Sequence, residues 1–225
     1  MLIKKIGHCC LLIRSGSGDN PLILTDPGSF SVAQNKLRGI DAVLITHEHE
    51  DHLHIKSLQE ILKNNPHAEV IANEGVGKKL DKVNIPHRRM RDRDTAEIKR
   101  VSIEAYDAKH EEIFEEIGQV QNTAFLIAGK LLIPGDSFFK PPTFVDILAL
   151  PVAGPWCKIG DAIRYALDVH PAIAFPIHDG MLQRDRVGAA FRIPEQVLKK
   201  NDINFVTLEE GQEHNFLFAG FKDEK

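Results

Sequence analysis

The stretch Thr46-His47-Glu48-His49-Glu50-Asp51-His52 packs three histidines and an aspartate into six residues. Imidazole nitrogens together with a carboxylate suit a borderline divalent ion such as zinc. In a roughly extended segment alternate side chains share a face. On that reading His47, His49 and Asp51 converge, and Glu48 and Glu50 point away. His52 begins a turn and is placed to reach a second ion. A solvated polar loop is the plain alternative. The buried strand in front of the stretch argues against it.

The elements that must position this stretch are readable around it. Asp41–Thr46 is an apolar run, and a helical spacing of apolar residues follows from about Ile55 to Asn64, limited by Pro66. The histidines therefore sit at the C-terminal end of a strand, the edge where α/β sheets bind ligands. Upstream, Leu2–Ile6, Cys9–Arg14 and Leu22–Thr25 read as a meander of antiparallel strands, with a turn-rich connection at Ser15–Pro21. Downstream, Glu69–Ala72 is a strand and Gly75–Leu80 a short helix. Glu97–Ala105 resumes the sheet. Asn122–Ala128 and Leu131–Pro134 form a hairpin, with Gly129 expected at the first turn position. Val145–Val152 and Ala172–Ile177 are buried strands. Ile159–Val169 is an amphipathic helix ended by Pro171, and Pro194–Asn201 is a helix with proline in its first turn. Asn204–Leu208 and Glu213–Leu217 complete the sheets, and the tail at 222–225 is expected to fray.

Four further strand ends carry polar residues of ligand type: Asp26, His110, Asp136 and His178. His110 could instead be an exposed loop histidine beside Glu111 and Glu112. Asp136, in Pro-Gly-Asp, could be a turn residue or helix cap. The nearby cluster favours ligation for both, and for His178. Asp26 reads better as an acceptor that orients an imidazole. His8 lies in a bend between two strands and is a cleft candidate. His67, His87 and His170 adjoin prolines and read as surface turn residues, His214 lies in a polar stretch, and His54 reads as exposed at a helix start.

The whole chain sets the bounds. Its 225 residues allow a substantial core, and 1–225 reads as one domain without a linker. A net charge of -4 gives no general pull toward nucleic acid or anionic membrane. The three cysteines, Cys9, Cys10 and Cys157, do not form a disulfide framework. Cys9 and Cys10 read as packed residues in an apolar run. No stretch is long enough to span a bilayer and no signal peptide is evident. A cytoplasmic protein is expected.

The motif His47-x-His49-x-Asp51-His52, extended in order by His110, Asp136 and His178, resembles the metallo-β-lactamase superfamily. The opening Ile6-Gly7-His8-Cys9-Cys10, with Leu24-Thr25-Asp26-Pro27, looks like the short branch of L-ascorbate-6-phosphate lactonase-like and N-acyl-phosphatidylethanolamine phospholipase D-like proteins. The resemblance covers nearly the whole chain. It implies an α/β fold, a four-layer αβ/βα sandwich. It implies that His47, His49 and His110 hold one metal, that Asp51, His52 and His178 hold a second, and that Asp136 bridges them. His87 is the alternative to His110. Two divalent ions follow, zinc first, with manganese or iron as alternatives. The expected function is hydrolysis of an ester-type bond, a phosphodiester or lactone, by hydroxide from the dinuclear site. Asp51 orients that nucleophile or takes its proton. Two divalent cations less Asp51, Asp136 and hydroxide leave residual positive charge, which suits an anionic small substrate.

Two other classes compete. Iron-dependent oxidoreductases share the fold, but the diiron type needs a glutamate where His49 stands. A nucleic-acid hydrolase would use the one basic concentration, His87-Arg-Arg-Met-Arg-Asp-Arg-Asp94, whose aspartates partly cancel it. Specificity is expected in loops: Pro141-Pro142, Pro155-Trp156 and Met181–Phe191. Trp156 could equally be a core plug. The sequence leaves the oligomeric state open.

Overall fold

A computed structural model gives the fold and describes residues 1–16 and 20–217. The connection at 15–21 is thus only partly described, and the tail at 222–225 lies outside the described residues. In chain order the strands are β1 (Leu2–Gly7), β2 (Cys10–Arg14), β3 (Leu22–Thr25), β4 (Ala42–Ile45), β5 (Glu69–Ala72), β6 (Arg88–Arg89), β7 (Thr95–Ile98), β8 (Val101–Lys109), β9 (Gln121–Ile127), β10 (Leu131–Ile133), β11 (Ile147–Pro151), β12 (Ile173–Ile177), β13 (Asn204–Phe205) and β14 (Glu213–Asn215). The helices are α1 (Ile55–Asn64), α2 (Glu74–Asp81), α3 (Ile159–Val169) and α4 (Gly188–Lys199).

The strands form two sheets, ordered β14-β1-β2-β3-β4-β5-β6 and β13-β12-β11-β10-β9-β8-β7. In each, an antiparallel run gives way to a parallel one, at β3–β4 and at β10–β11. Alternation within the strands separates two faces. Leu44, Ile71, Phe125, Ile133, Phe175 and Ile177 belong to one core cluster that draws on both sheets. Val43 and Ile45 turn the other way and pack with Leu58 and Ile61 of α1 and Val76 and Leu80 of α2. Leu148 and Leu150 do the same with Tyr165 of α3 and Leu198 of α4. The result is helix, sheet, sheet, helix, the αβ/βα sandwich of the metallo-β-lactamase fold. Full burial of each such side chain contributes roughly 1.5–3 kcal/mol.

Several local expectations change. The run expected at Glu97–Ala105 is two antiparallel strands, because Lys99 and Arg100 take positive φ and turn the chain between β7 and β8. In the next hairpin Ala128 and Gly129 both have positive φ, and Lys130 N–H donates to the Ile127 carbonyl at 3.0 Å. Gly129 therefore occupies the second central turn position, not the first. Helix α4 begins six residues before Pro194, which lies inside it. Phe191, Pro194 and Leu198 form its buried stripe, so packing of that stripe outweighs the missing proline N–H. The last two strands divide: β13 joins the second sheet, and β14 pairs with β1 on the first.

The strand ends now share an edge. Asp26 follows β3, His47 follows β4 by two residues, His110 follows β8, and His178 follows β12. Asp136 lies three residues beyond β10.

Candidate metal centre

Asp136 is the middle of the site. Its Oδ2 lies 3.0 Å from His178 Nε2, 3.4 Å from His110 Nε2 and 3.8 Å from His47 Nε2. Its Oδ1 lies 3.1 Å from His52 Nε2. Trp156 Nε1–H donates to Oδ2 at 2.8 Å. The carboxylate is itself aimed by β9: Asn122 accepts the Asp136 N–H at 3.1 Å and donates to the Pro134 carbonyl at 2.9 Å. Asn122 is fully buried within a strand, a polar residue in an apolar run, and that is the signal by which the sequence could have flagged it.

Two groups of ligand-type atoms flank Asp136. His47, His49, His110 and Asp136 lie with one ligand atom each within 4.8 Å of one another, and so do His8, Cys9, His52 and His178. In the first group His47 Nε2 and His49 Nδ1 stand 3.2 Å apart. Asp51 faces the other group. Its Oδ2 is 3.6 Å from His178 Nε2 and 3.8 Å from His52 Nε2. The extended reading of residues 47–51 is therefore corrected. The chain turns after His49, whose carbonyl accepts N–H groups from His52 and Leu53, and this swings Asp51 away from His47 and His49. Glu48 points to Lys79, and Glu50 is exposed at the rim.

The outer nitrogens of the rings are held by the fold. His110 Nδ1 meets the Glu111 carbonyl at 2.5 Å, and His178 Nδ1 meets that of Ala153 at 2.6 Å. A carbonyl can only accept, so both Nδ1 atoms carry the proton and both Nε2 lone pairs face Asp136. His52 Nδ1 meets Asp26 Oδ2 at 3.0 Å. Asp26, at φ +39, also takes the backbone and hydroxyl hydrogens of Thr46. Asn73 donates to the Thr46 carbonyl and caps α2. The Asp26-Pro27-Gly28 turn presses on the ligand loop. A Cβ on Gly28 would lie 1.6 Å from the Asp51 carbonyl oxygen, so only glycine fits.

His8 has both nitrogens engaged. Nδ1 accepts the Gly180 N–H at 3.0 Å, so Nε2 carries the proton and donates to Asp51 Oδ2 at 3.1 Å. Cys9, expected as a packed residue, does sit in the inter-sheet core, and its thiol also lies beside His52 and His178. The remaining histidines stay outside the centre. His67, His170 and His214 are exposed, His54 bonds Ser57, and His87 is tied to the Ile85 carbonyl and Arg89. The structure thus brings His110 to the centre and not His87.

Electrostatics prepare this set for a cation. Burial drives His47 well below its usual pKa, and brings His8 down to about 4 against the pull of Asp51. Burial alone would raise the Asp136 carboxyl, but His52 and His178 hold it well below the usual range. Asp51 follows the same pattern, with burial opposed by its contact with His8. His52 goes upward: burial disfavours its charge, but Asp136, Cys9 and Asp26 outweigh burial. Burial pushes the Cys9 thiol up to about 12. Of the five buried side-chain atoms without a hydrogen-bond partner among the described residues, three belong to this centre: His52 Nε2, His110 Nε2 and Asp136 Oδ1. Such atoms cost free energy unless something satisfies them. They gather at the Asp136 carboxylate, His52 Nε2 beside Oδ1 and His110 Nε2 beside Oδ2, and nitrogen and carboxylate oxygen are the donors a divalent ion takes. The residues present therefore fit a dinuclear metal site.

A model of the Beta-lactamase superfamily domain matches residues 2–178. Protein Rv0786c of Mycobacterium tuberculosis is 35% identical over 193 residues, 84% of this chain and 88% of that protein. Among solved structures, a proposed metal-dependent hydrolase from Parabacteroides distasonis aligns at TM-score 0.73 and 27% identity, covering 93% of each chain. Igni18, a metallo hydrolase from Ignicoccus hospitalis, aligns at TM-score 0.74 and 18% identity, covering 97% of this chain and 99% of that one. Sequence match, fold and paired ligand clusters agree. The chain belongs to the metallo-β-lactamase superfamily.

Proposed function

We propose that the chain is a metal-dependent hydrolase that cleaves an ester-type bond, a lactone or phosphodiester, in a small substrate. The observation that carries this reading is the position of Asp136 between two groups of imidazoles, with the buried His52 Nε2 and His110 Nε2 left without a protein hydrogen-bond partner. His47, His49 and His110 would hold one ion, Asp51, His52 and His178 the other, and Asp136 both. Zinc suits this nitrogen-rich set. When bound, two such ions supply Lewis acidity and lower the pKa of water toward neutrality.

The chain's own residues do the rest. His110, His178 and His52 present Nε2 because carbonyls or Asp26 hold their other nitrogen. Asp51 is fixed by the His8 N–H and faces the cleft, where it can orient a water and receive its proton. Trp156 and Asn122 hold Asp136 from two sides. Hydrolysis adds water across the acyl C–O or P–O bond, giving an acid and an alcohol. Within the superfamily we place the chain in the short lactonase-like and phospholipase-D-like branch, on its Ile6-Gly7-His8 and Asp26-Pro27 turns.

A nucleic-acid substrate fits less well. Three of the four arginines in the basic stretch at 87–94 are paired within the chain, Arg89 with Glu74 and Asp81, Arg88 with Glu69, and Arg93 with Asp92. No helix among the described residues is long and apolar enough to cross a membrane. The test is turnover by zinc- and manganese-reconstituted protein on phosphodiesters, lactones, acyl thioesters and β-lactams. Metal-dependent cleavage of a lactone or phosphodiester is expected. Protein with its metals bound that cleaves neither would overturn the reading.

A further inference from the structure

We propose that the substrate carries an apolar arm beside a neutral scissile carbonyl, as in an alkanoyl ester or an alkyl-substituted lactone. This rests on the hydrolase reading and narrows it. It also departs from the anionic substrate that the charge of the ions alone suggests.

The cleft over the ligands has a volume of about 430 Å³, within the range of small-molecule pockets. Its floor is the metal-ligand set. Its walls are Phe30, Ile113, Pro155, Trp156 and Met181. Phe30 is 47% exposed and Met181 56%, although large apolar side chains gain by burial. They come from separate segments, after β3, β8, β11 and β12, and together line this mouth. A shared apolar surface standing over a polar floor has a clear complement: a polar group for the ions and a hydrocarbon arm for the walls.

The charges point the same way. Among the described residues no lysine or arginine lines this cleft, and Glu50 stands at its rim. Behind His8 and Phe30 lies a second cavity, of about 140 Å³, which also contains Asp179, Glu209 and Glu210. Asp179 is paired with Lys5 at 2.8 Å, which offsets its charge. In the cleft itself a phosphate or carboxylate on the arm would meet Glu50 at the rim and no lysine or arginine among the described residues. An uncharged arm meets no such penalty and displaces water from Phe30 and Met181. The reaction needs no co-reactant beyond water, which adds across the acyl C–O bond.

Trp156 is the chain's single tryptophan and lines the cleft, so its emission reports occupancy without turnover. The probes are n-alkanoyl hydroxamates from acetyl to octanoyl, and matched ones ending in a carboxylate, titrated into zinc-reconstituted protein of measured metal content. Kd is expected to fall about fourfold per methylene buried. The terminal carboxylate should cancel the gain, and Met181→Lys should flatten the series. A Kd independent of chain length, or tighter binding of the carboxylate series, would overturn the proposal. Turnover of the corresponding p-nitrophenyl esters and of bis(p-nitrophenyl) phosphate is read separately. Failure to cleave these and the lactones of the wider panel with zinc bound sinks the hydrolase reading, while the binding series still decides the arm.

Discussion

His8 and Asp51 form a bond whose direction the backbone dictates. The Gly180 N–H occupies His8 Nδ1 at 3.0 Å, so the proton sits on Nε2 and points at Asp51 Oδ2, 3.1 Å away. One imidazole thereby ties the β1–β2 bend to the ligand loop and to the loop after β12. His8 is 3% exposed and has φ +50, a backbone state uncommon outside glycine. It is a positioning residue for Asp51.

Replacing His8 should loosen Asp51 more than it disturbs the fold. For His8→Ala, affinity for the more weakly held zinc ion should fall roughly 10- to 100-fold, the usual cost of losing a partner behind a ligand. His8→Gln, which keeps an N–H donor, should recover part of it. Competition titration with a chromophoric chelator reads both. Unchanged affinity in His8→Ala would remove the positioning role.

Gly28 tests how rigidly the loop is held. In Gly28→Ala the new methyl would overlap the Asp51 carbonyl, and the same Cβ would lie 2.6 Å from the His52 backbone nitrogen. The loop must shift, so both metal content and thermal stability should drop, with about 1–3 kcal/mol lost on the scale of overpacked sites. Full zinc occupancy at an unaltered Tm would show that the loop yields freely.

Tyr165 gives the chain an alkaline limit away from the metals. Burial raises its phenol well above the usual 10, and its hydroxyl donates to the Phe139 carbonyl at 2.6 Å. The folded state therefore keeps the proton where the unfolded chain releases it. This stabilisation is complete below pH 10 and is lost progressively above it. Tyr165→Phe should start about 1 kcal/mol less stable, from the lost hydrogen bond, and fall less steeply above pH 10. Urea midpoints across that range measure the difference; parallel curves would assign the alkaline loss to other groups.

Much of this was legible in the chain because strand ends announce themselves. An apolar run followed by Asp26, His47, His110 or His178 states where each side chain must emerge. The hidden parts depend on contacts between distant segments. Asp51 turns away from His47 because His52 and Leu53 N–H groups close on the His49 carbonyl, which alternation along a strand does not foresee. Asn122 looks like any strand residue until Pro134 and Asp136 arrive beside it. Trp156, readable as a core plug, is mostly buried but spends its N–H on Asp136. Pro194 marked a helix start by local rules, and tertiary packing of Phe191 and Leu198 overruled them.

The central claim is that Asp136 joins two metal sites. Elemental analysis of zinc-reconstituted protein, paired with Asp136→Asn, tests it most directly. The wild-type chain should retain two zinc ions after dialysis. Asp136→Asn keeps the shape and removes the charge, and should retain one or none while remaining folded by circular dichroism. A wild type that saturates at one ion, or an Asp136→Asn chain that still holds two, would contradict the dinuclear account.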